Sequence, residues 1–249
     1  MTLRFDGRVA LITGSGRGIG RAYAQLLAAR GCRVVVADAG FAITGAPGTD
    51  DPASAVVAEI AAAGGTAIAY RGDVRTDARE MVACAFDTFG RLDILINNAG
   101  PVGSFRLFSD TSPEDWQRVS DMHYRGTVEV CRAARPALVA AGSGRIVNTA
   151  SSAMLGSEMQ TDYGSAKAAI FGFTRSLALE GRASGITVNC ILPSGYSRMT
   201  ETIQDPEVLA AAKHLLGPQH IAALVSWLAH HDTDVNGEAF NVSGGRAAD

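Results

Sequence analysis

The sequence predicts an α/β domain, a doubly wound parallel sheet of about seven strands with helices on both faces. Three observations carry this. Short β-branched runs alternate with longer helical windows from one end of the chain to the other. The strand-like runs are almost continuously apolar, as parallel strands covered on both faces require. A glycine-rich turn joins the first run to the first helical window, as in the βα units of such sheets.

The strands are expected at 8–13 (RVALIT), 33–37, 66–70, 92–96, 144–149, 186–191 and 238–242. Helical windows lie between them at 18–30, 53–63, 76–88, 113–134, 161–183 and 218–230. Two windows carry start signals. Ser112-Pro113-Glu114-Asp115 offers a capping hydroxyl, a proline in the first turn and acids after it, and Gly217-Pro218 opens the last helix. Two long irregular stretches, 38–52 and 192–217, follow strand C-termini, the edge where open sheets bind ligands. No linker, repeat or low-complexity segment interrupts the pattern, so residues 1–249 are expected to form one domain.

Composition narrows the function. Of the 249 residues 47% are hydrophobic, enough for a sizeable core. A net charge of −3 provides no broad basic face for nucleic acid or anionic lipid. Cys32, Cys84, Cys131 and Cys190 are scattered without metal spacing and read as small core hydrophobes of a reducing compartment, with no metal expected. No apolar run is long enough to span a bilayer, and neither a signal peptide nor a peroxisomal tripeptide is recognisable. A cytoplasmic location is the expectation. Lys167 and Lys213 are the only lysines among 22 basic residues, which makes each one informative.

The first strand runs into Thr13-Gly14-Ser15-Gly16-Arg17-Gly18-Ile19-Gly20. Glycine lets the backbone turn tightly and approach a pyrophosphate, and the following helix offers its free N–H groups and positive end to that anion. Asp38 ends the second strand, 18 residues past Gly20. A carboxylate there accepts both ribose hydroxyls and repels a 2′-phosphate, which favours NAD. Arg17 argues the other way, because a guanidinium beside the loop is suited to that phosphate. NAD is the expected cofactor, ahead of NADP.

Tyr163 and Lys167 stand four apart in a helical window, so phenol and ammonium share one face. A free phenol has a pKa of about 10, and a neighbouring cation lowers it toward use as a base. Ser151 and Ser152 follow the strand at 144–149, where a hydroxyl can hold a substrate oxygen against the tyrosine. Asn97-Asn98-Ala99-Gly100 follows the fourth strand; its small residues admit a cofactor and its amides can tie neighbouring strands.

Together these motifs resemble the short-chain dehydrogenases/reductases over essentially the whole chain. The resemblance implies a Rossmann-type sheet, a homotetramer or homodimer, and hydride transfer between nicotinamide and a small alcohol or ketone. It implies that Tyr163 is the acid/base, that Lys167 lowers its pKa while holding the nicotinamide ribose, and that Ser151 orients the substrate oxygen. Further cofactor contacts are implied at Gly14, Arg17, Gly18, Ile19, Gly20, Asp38, Asn97, Ala99 and Gly100. Asp73 and Val74 match an adenine-contacting pair, and Pro193 begins the segment at the carboxamide. Where the family has asparagine in a proton relay to the lysine, this chain has His123. Two readings of it stand, a holder of a relay water and a packed core histidine. The interval from Ser151 to Tyr163 is one residue shorter than the family's usual spacing, and counting from Gly144 selects Ser151 over Ser152.

Several stretches, among them residues 3–9, 20–24, His123-Tyr124-Arg125-Gly126, 197–201 and 224–228, are similar to the (3R)-hydroxyacyl-CoA dehydrogenase part of type 2 peroxisomal multifunctional enzymes. This implies oxidation of a 3-hydroxyacyl thioester, an acyl-CoA, with NAD. The alternatives are an NADPH-dependent 3-oxoacyl reductase, encouraged by Arg17, and a non-catalytic NAD(H)-binding regulator. Specificity is expected to reside in 101–112 and 192–217, where shape rather than motif decides.

Overall fold

Apolar alternation along each strand builds two core layers, one on each face of a single sheet. The computed structural model describes residues 2–42, 48–100, 105–196, 200 and 204–248. The first half contains β1 (Val9–Thr13), α1 (Gly18–Ala29), β2 (Arg33–Asp38), α2 (Pro52–Ala62), β3 (Thr66–Arg71), α3 (Ala78–Phe89) and β4 (Ile94–Asn97). The second contains α4 (Pro113–Ser120), α5 (Gly126–Ala140), β5 (Arg145–Thr149), α6 (Thr161–Gly181), β6 (Thr187–Ser194), α7 (Pro206–Leu215), α8 (Pro218–Leu228), β7 (Ala239–Ser243) and β8 (Arg246–Ala248).

The sheet has eight strands in the order β3-β2-β1-β4-β5-β6-β7-β8. All neighbours pair in parallel except β7 with β8. Strand order reverses between β1 and β4, opening a crevice at their C-terminal ends. Ala10, Ile12, Val34 and Val36 face one way, onto Tyr23 and Leu27 of α1, Val56 and Ile60 of α2, and Ile221 and Val225 of α8. Val9, Leu11, Val35 and Leu95 face the other, onto Met81 of α3, Val130, Ala134 and Leu138 of α5, and Ala178 of α6. Each fully buried aliphatic side chain contributes about 1.5–3 kcal/mol, which holds the strand ends in register at the crevice.

Three differences from the sequence reading have physical causes. The window at 113–134 extends to Ala140, because the helix runs through Pro136 and passes a π-turn at Asp121–Arg125. The stretch 192–217 is not wholly irregular, since Asp205 caps α7 by accepting from the Glu207 and Val208 amides. The eighth strand is three exposed residues with no apolar pattern to announce it. Elsewhere the start signals hold: Ser112 accepts from the Asp115 amide, and Pro218 opens α8.

Candidate active site

The C-terminal ends of β1, β2, β4, β5 and β6 surround a cleft of about 450 Å³. Every residue expected at the site lines it except Gly20 and Asn97. Both exceptions serve from behind. A Cβ on Gly20 would fall 2.4 Å from the Gly14 oxygen, so this glycine lets α1 pack on the loop. Asn97, in β4, turns inward and donates from Nδ2 to Asn148 Oδ1 at 2.9 Å, tying β4 to β5.

The glycine loop is clamped to the end of β4. Gly14 has φ of +62°, and a Cβ there would sit 2.7 Å from Ala99 Cα. Thr13 Oγ1 accepts from the Asn98 and Ala99 amides at 3.1 Å each, while Asn98 Nδ2 donates to the Thr13 and Gly14 oxygens at 3.1 and 2.9 Å. No side chain caps the N-terminus of α1, which leaves its first-turn amides available to an anion. Asp38 is fixed by backbone donors, its Oδ2 accepting from the Gly16 amide at 2.9 Å and its Oδ1 from the Gly40 amide at 2.8 Å. Arg17 is already engaged, with Nη2 2.9 Å from Asp50 Oδ2. Asp73 and Val74 reach the same end, but the Asp73 carboxylate is held by the Arg75 guanidinium. That guanidinium lies 5.7 Å from the centroid of the Phe41 ring, which also lines the cleft.

At the opposite end, Ser151 follows β5 and its Oγ accepts from the Ala153 amide at 3.2 Å. Ser151 lines the cleft and Ser152 does not. Tyr163 and Lys167 occupy successive turns of α6, with the ammonium nitrogen 5.5 Å from the phenol ring centroid. Lys167 is 4% exposed, and its Nζ donates to the Thr149 oxygen at 2.7 Å. Burial pushes the Tyr163 phenol above its ordinary value, and a hydrogen bond with Ser151 draws it partly back. Burial also pushes Lys167 down to about 7. The dry wall of the cleft thus disfavours charge on both groups, and it opposes the lowering of the phenol that a neighbouring cation implies.

His123 comes from the π-turn, is 2% exposed, and meets the Tyr163 ring edge-on with centroids 5.1 Å apart. It also crowds Gly100, where a Cβ would fall 2.3 Å from its Cε1. The packed reading of His123 thus has direct contacts behind it, and its place in the cleft wall keeps it beside the phenol. Phe41, Thr149, Ser194 and Thr200 line the cleft without having been singled out from the sequence, and Asn98, read there as a tie between strands, lines it too. Strand alternation was the available signal for Asn98, since Asn97 faces inward. Thr149 acts through a carbonyl oxygen, for which side-chain identity gives no signal. Residues 101–104, 197–199 and 201–203, from the stretches expected to set specificity, lie outside the described residues.

A glycine loop at the switch point of a parallel sheet, facing a serine, a half-buried tyrosine and a buried lysine across one cleft, defines a nicotinamide-dependent oxidoreductase. Residues 8–207 match the short chain dehydrogenase family, and the chain belongs to it. Among particular relatives, it is 43% identical over 244 residues to peroxisomal multifunctional enzyme type 2 of Mus musculus, covering 98% of this chain but 32% of that longer protein. It is 36% identical to a 3-oxoacyl-[acyl-carrier-protein] reductase of a Synechocystis species, covering 96% of both chains. The crystal structure of a short chain dehydrogenase from Mycobacterium paratuberculosis bound to NAD superposes with a TM-score of 0.85 at 29% identity, covering 97% of this chain and 98% of that one.

Proposed function

We propose that this chain interconverts a secondary alcohol and a ketone with NAD as cofactor, and that its substrate is a 3-hydroxyacyl thioester of the acyl-CoA type. The observation that carries the reading is the half-buried Tyr163 beside the buried Lys167 in the cleft wall, with Ser151 on the phenol. The similarity to a multifunctional enzyme and to a 3-oxoacyl reductase supports the acyl thioester, because 3-hydroxyacyl and 3-oxoacyl groups are the two sides of one reaction.

The residues present suit the cofactor. Gly14, Gly18 and Ala99 line the cleft with small side chains or none, and the α1 amides suit a pyrophosphate. Asp38 suits the adenosine ribose hydroxyls, Lys167 the nicotinamide ribose, and Pro193 the carboxamide end. When bound, the nicotinamide supplies the site that accepts or returns the hydride.

In the oxidative direction, Ser151 Oγ holds the substrate oxygen and Tyr163 Oη takes its proton. Lys167 makes this feasible by sharing a proton with the phenol. A neutral amine beside a neutral phenol is a tautomer of ammonium beside phenolate, so the pair offers a phenolate without gaining or losing a proton. Once Tyr163 has taken the substrate's proton, Lys167, held at about 7, returns one to solvent near neutral pH. In the reductive direction the same phenol donates its proton to the carbonyl oxygen. The raised Tyr163 favours that second reading, reduction of a 3-oxoacyl thioester, at the acid end of the range. His123 packs against the phenol and keeps its ring in place. A cytoplasmic location, a single domain over 1–249 and a homodimer or homotetramer belong to the same proposal; no helix among the described residues is long and apolar enough to cross a membrane.

The test is NADH absorbance with 3-hydroxyacyl-CoA esters of both hands and several chain lengths, set beside simple secondary alcohols. The proposal expects one hand of the CoA esters to give the highest kcat/KM. Turnover of simple alcohols with none of the esters would reassign the substrate class.

A further inference from the structure

The adenosine end of the cleft holds an ion pair that the reading above does not use. Arg17 stands at the residue before α1, in the glycine loop, and lines the cleft beside Asp38. In isolation its guanidinium suits a phosphate on the 2′ oxygen of the ribose. It is not left in isolation. Nη2 lies 2.9 Å from Asp50 Oδ2, and Nη1 donates to the Phe41 oxygen at 3.4 Å. The other two arginines near this corner are engaged as well, Arg75 on the Asp73 carboxylate and Arg71 on the Gly48 oxygen at 2.9 Å. Asp38 cannot turn away, because the Gly16 and Gly40 amides hold both of its oxygens.

We infer that Asp50 is a cofactor-discriminating residue, holding Arg17 in an ion pair that must break before the arginine can serve a 2′-phosphate. This rests on the NAD preference proposed above and extends it. Around the ribose edge Asp38, Asp50 and Arg17 bring two negative charges and one positive, beside the paired Arg75 and Asp73 and the Arg71 guanidinium. A ribose with free hydroxyls meets Asp38 as an acceptor and leaves the pair intact. A 2′-phosphate meets Asp38 directly, and its natural partner is already neutralised by a carboxylate. Discrimination then has two sources, repulsion by Asp38 and occupation of Arg17 by Asp50. The second is invisible to the motif, since Asp50 lies 12 residues beyond Asp38 in a stretch of no regular pattern.

Asp50 is exposed, with 74% of its side chain accessible, so its replacement leaves the core untouched. Removing one partner of an exposed pair and leaving a phosphate to take its place should tighten NADP⁺ binding by about fivefold at low salt. Binding is measured by calorimetric titration of NAD⁺ and NADP⁺ into wild type, Asp50→Asn, Arg17→Gln and the double variant, at 50 and 500 mM salt. The inference expects Asp50→Asn to strengthen NADP⁺ about fivefold while NAD⁺ stays within twofold, with the gain shrinking at high salt. It expects no gain in the Arg17→Gln background. Unchanged NADP⁺ affinity in Asp50→Asn, or the same gain without Arg17, overturns it; Asp50→Ser gives a second variant for the same comparison. Wild type that binds NADP⁺ more tightly than NAD⁺ would instead defeat the underlying cofactor assignment, a result distinguishable from failure of the Asp50 substitution.

Discussion

Adding one methyl group at Gly100 tests whether the cleft wall is as tightly built as its contacts indicate. A Cβ there would sit 2.3 Å from His123 Cε1 and 2.4 Å from its Nδ1. Carbon atoms rest at about 3.5–4.0 Å, so more than about 1 Å of movement must come from somewhere. The His123 ring is 2% exposed and stands edge-on against Tyr163 at 5.1 Å, so it cannot swing into solvent without disturbing the phenol. Overpacking of this kind costs about 1–3 kcal/mol. For a chain of this size each kcal/mol lowers Tm by about 2–4 °C, which puts Gly100→Ala roughly 5 °C below wild type. A displacement of about 1 Å passed on to Tyr163 lowers turnover by about 100-fold. Calorimetry and steady-state NADH formation read the two effects. The contact is isolated by repeating the substitution with His123→Ala, where the added methyl should carry almost no penalty. Wild-type Tm and rate in Gly100→Ala, or an equal penalty in both backgrounds, would refute the packing described for His123.

Three further outcomes are expected. In Lys167→Met the phenol ionises alone from its raised value, so the rising limb of oxidation, centred near 7 through the Tyr163–Lys167 pair in wild type, moves above about 10; kcat against pH should show it. Oxidation needs the pair with one proton fewer, so in wild type it is lost as pH falls through about 7, whereas reduction is not. Asp93 has no exposed side-chain surface, and burial pushes its carboxyl up. Hydrogen bonds from Arg91, the Val9 amide and Arg8 outweigh that and hold it below the usual range, so its stabilisation is full above the unfolded value and is lost as pH falls through the folded one. Asp93→Asn should destabilise by about 3 kcal/mol at neutral pH, read by urea unfolding, with a smaller deficit in acid. Asn98→Ala leaves the Thr13 and Gly14 oxygens without their donor; it should cost about 1–3 kcal/mol and weaken NAD⁺ binding measured by titration.

The parallel sheet was legible because each buried strand advertises itself as an apolar run and each crossover as a helical period. The glycine loop, Asp38, Ser151 and the Tyr163–Lys167 pair were legible as neighbours in one cleft because the chemistry proposed for them requires particular residue types at particular strand ends. What escaped notice follows from the same logic. β8 is Arg246-Ala247-Ala248, held by backbone pairing to β7 with no side-chain pattern. α7 carried its signal in Asp205-Pro206-Glu207, the same capping arrangement as Ser112-Pro113-Glu114, inside a stretch whose position at the sheet edge suggested a loop. Asn97 and Asn98 look alike in sequence, and only strand alternation separates the tie between strands from the clamp at the cleft. The protonation balance of Tyr163 and Lys167 could not be read from spacing at all, because it depends on how much water the wall excludes.

The most direct test is Tyr163→Phe, which keeps the ring against His123 and removes only the oxygen proposed to move the proton. NAD⁺ binding is measured by titration and NADH formation by absorbance, with a 3-hydroxyacyl-CoA ester that wild type turns over. Binding within a few-fold of wild type with turnover lowered by about 100-fold or more is the predicted result. Wild-type turnover in the variant would show that the phenol of Tyr163 is not the group that carries the proton.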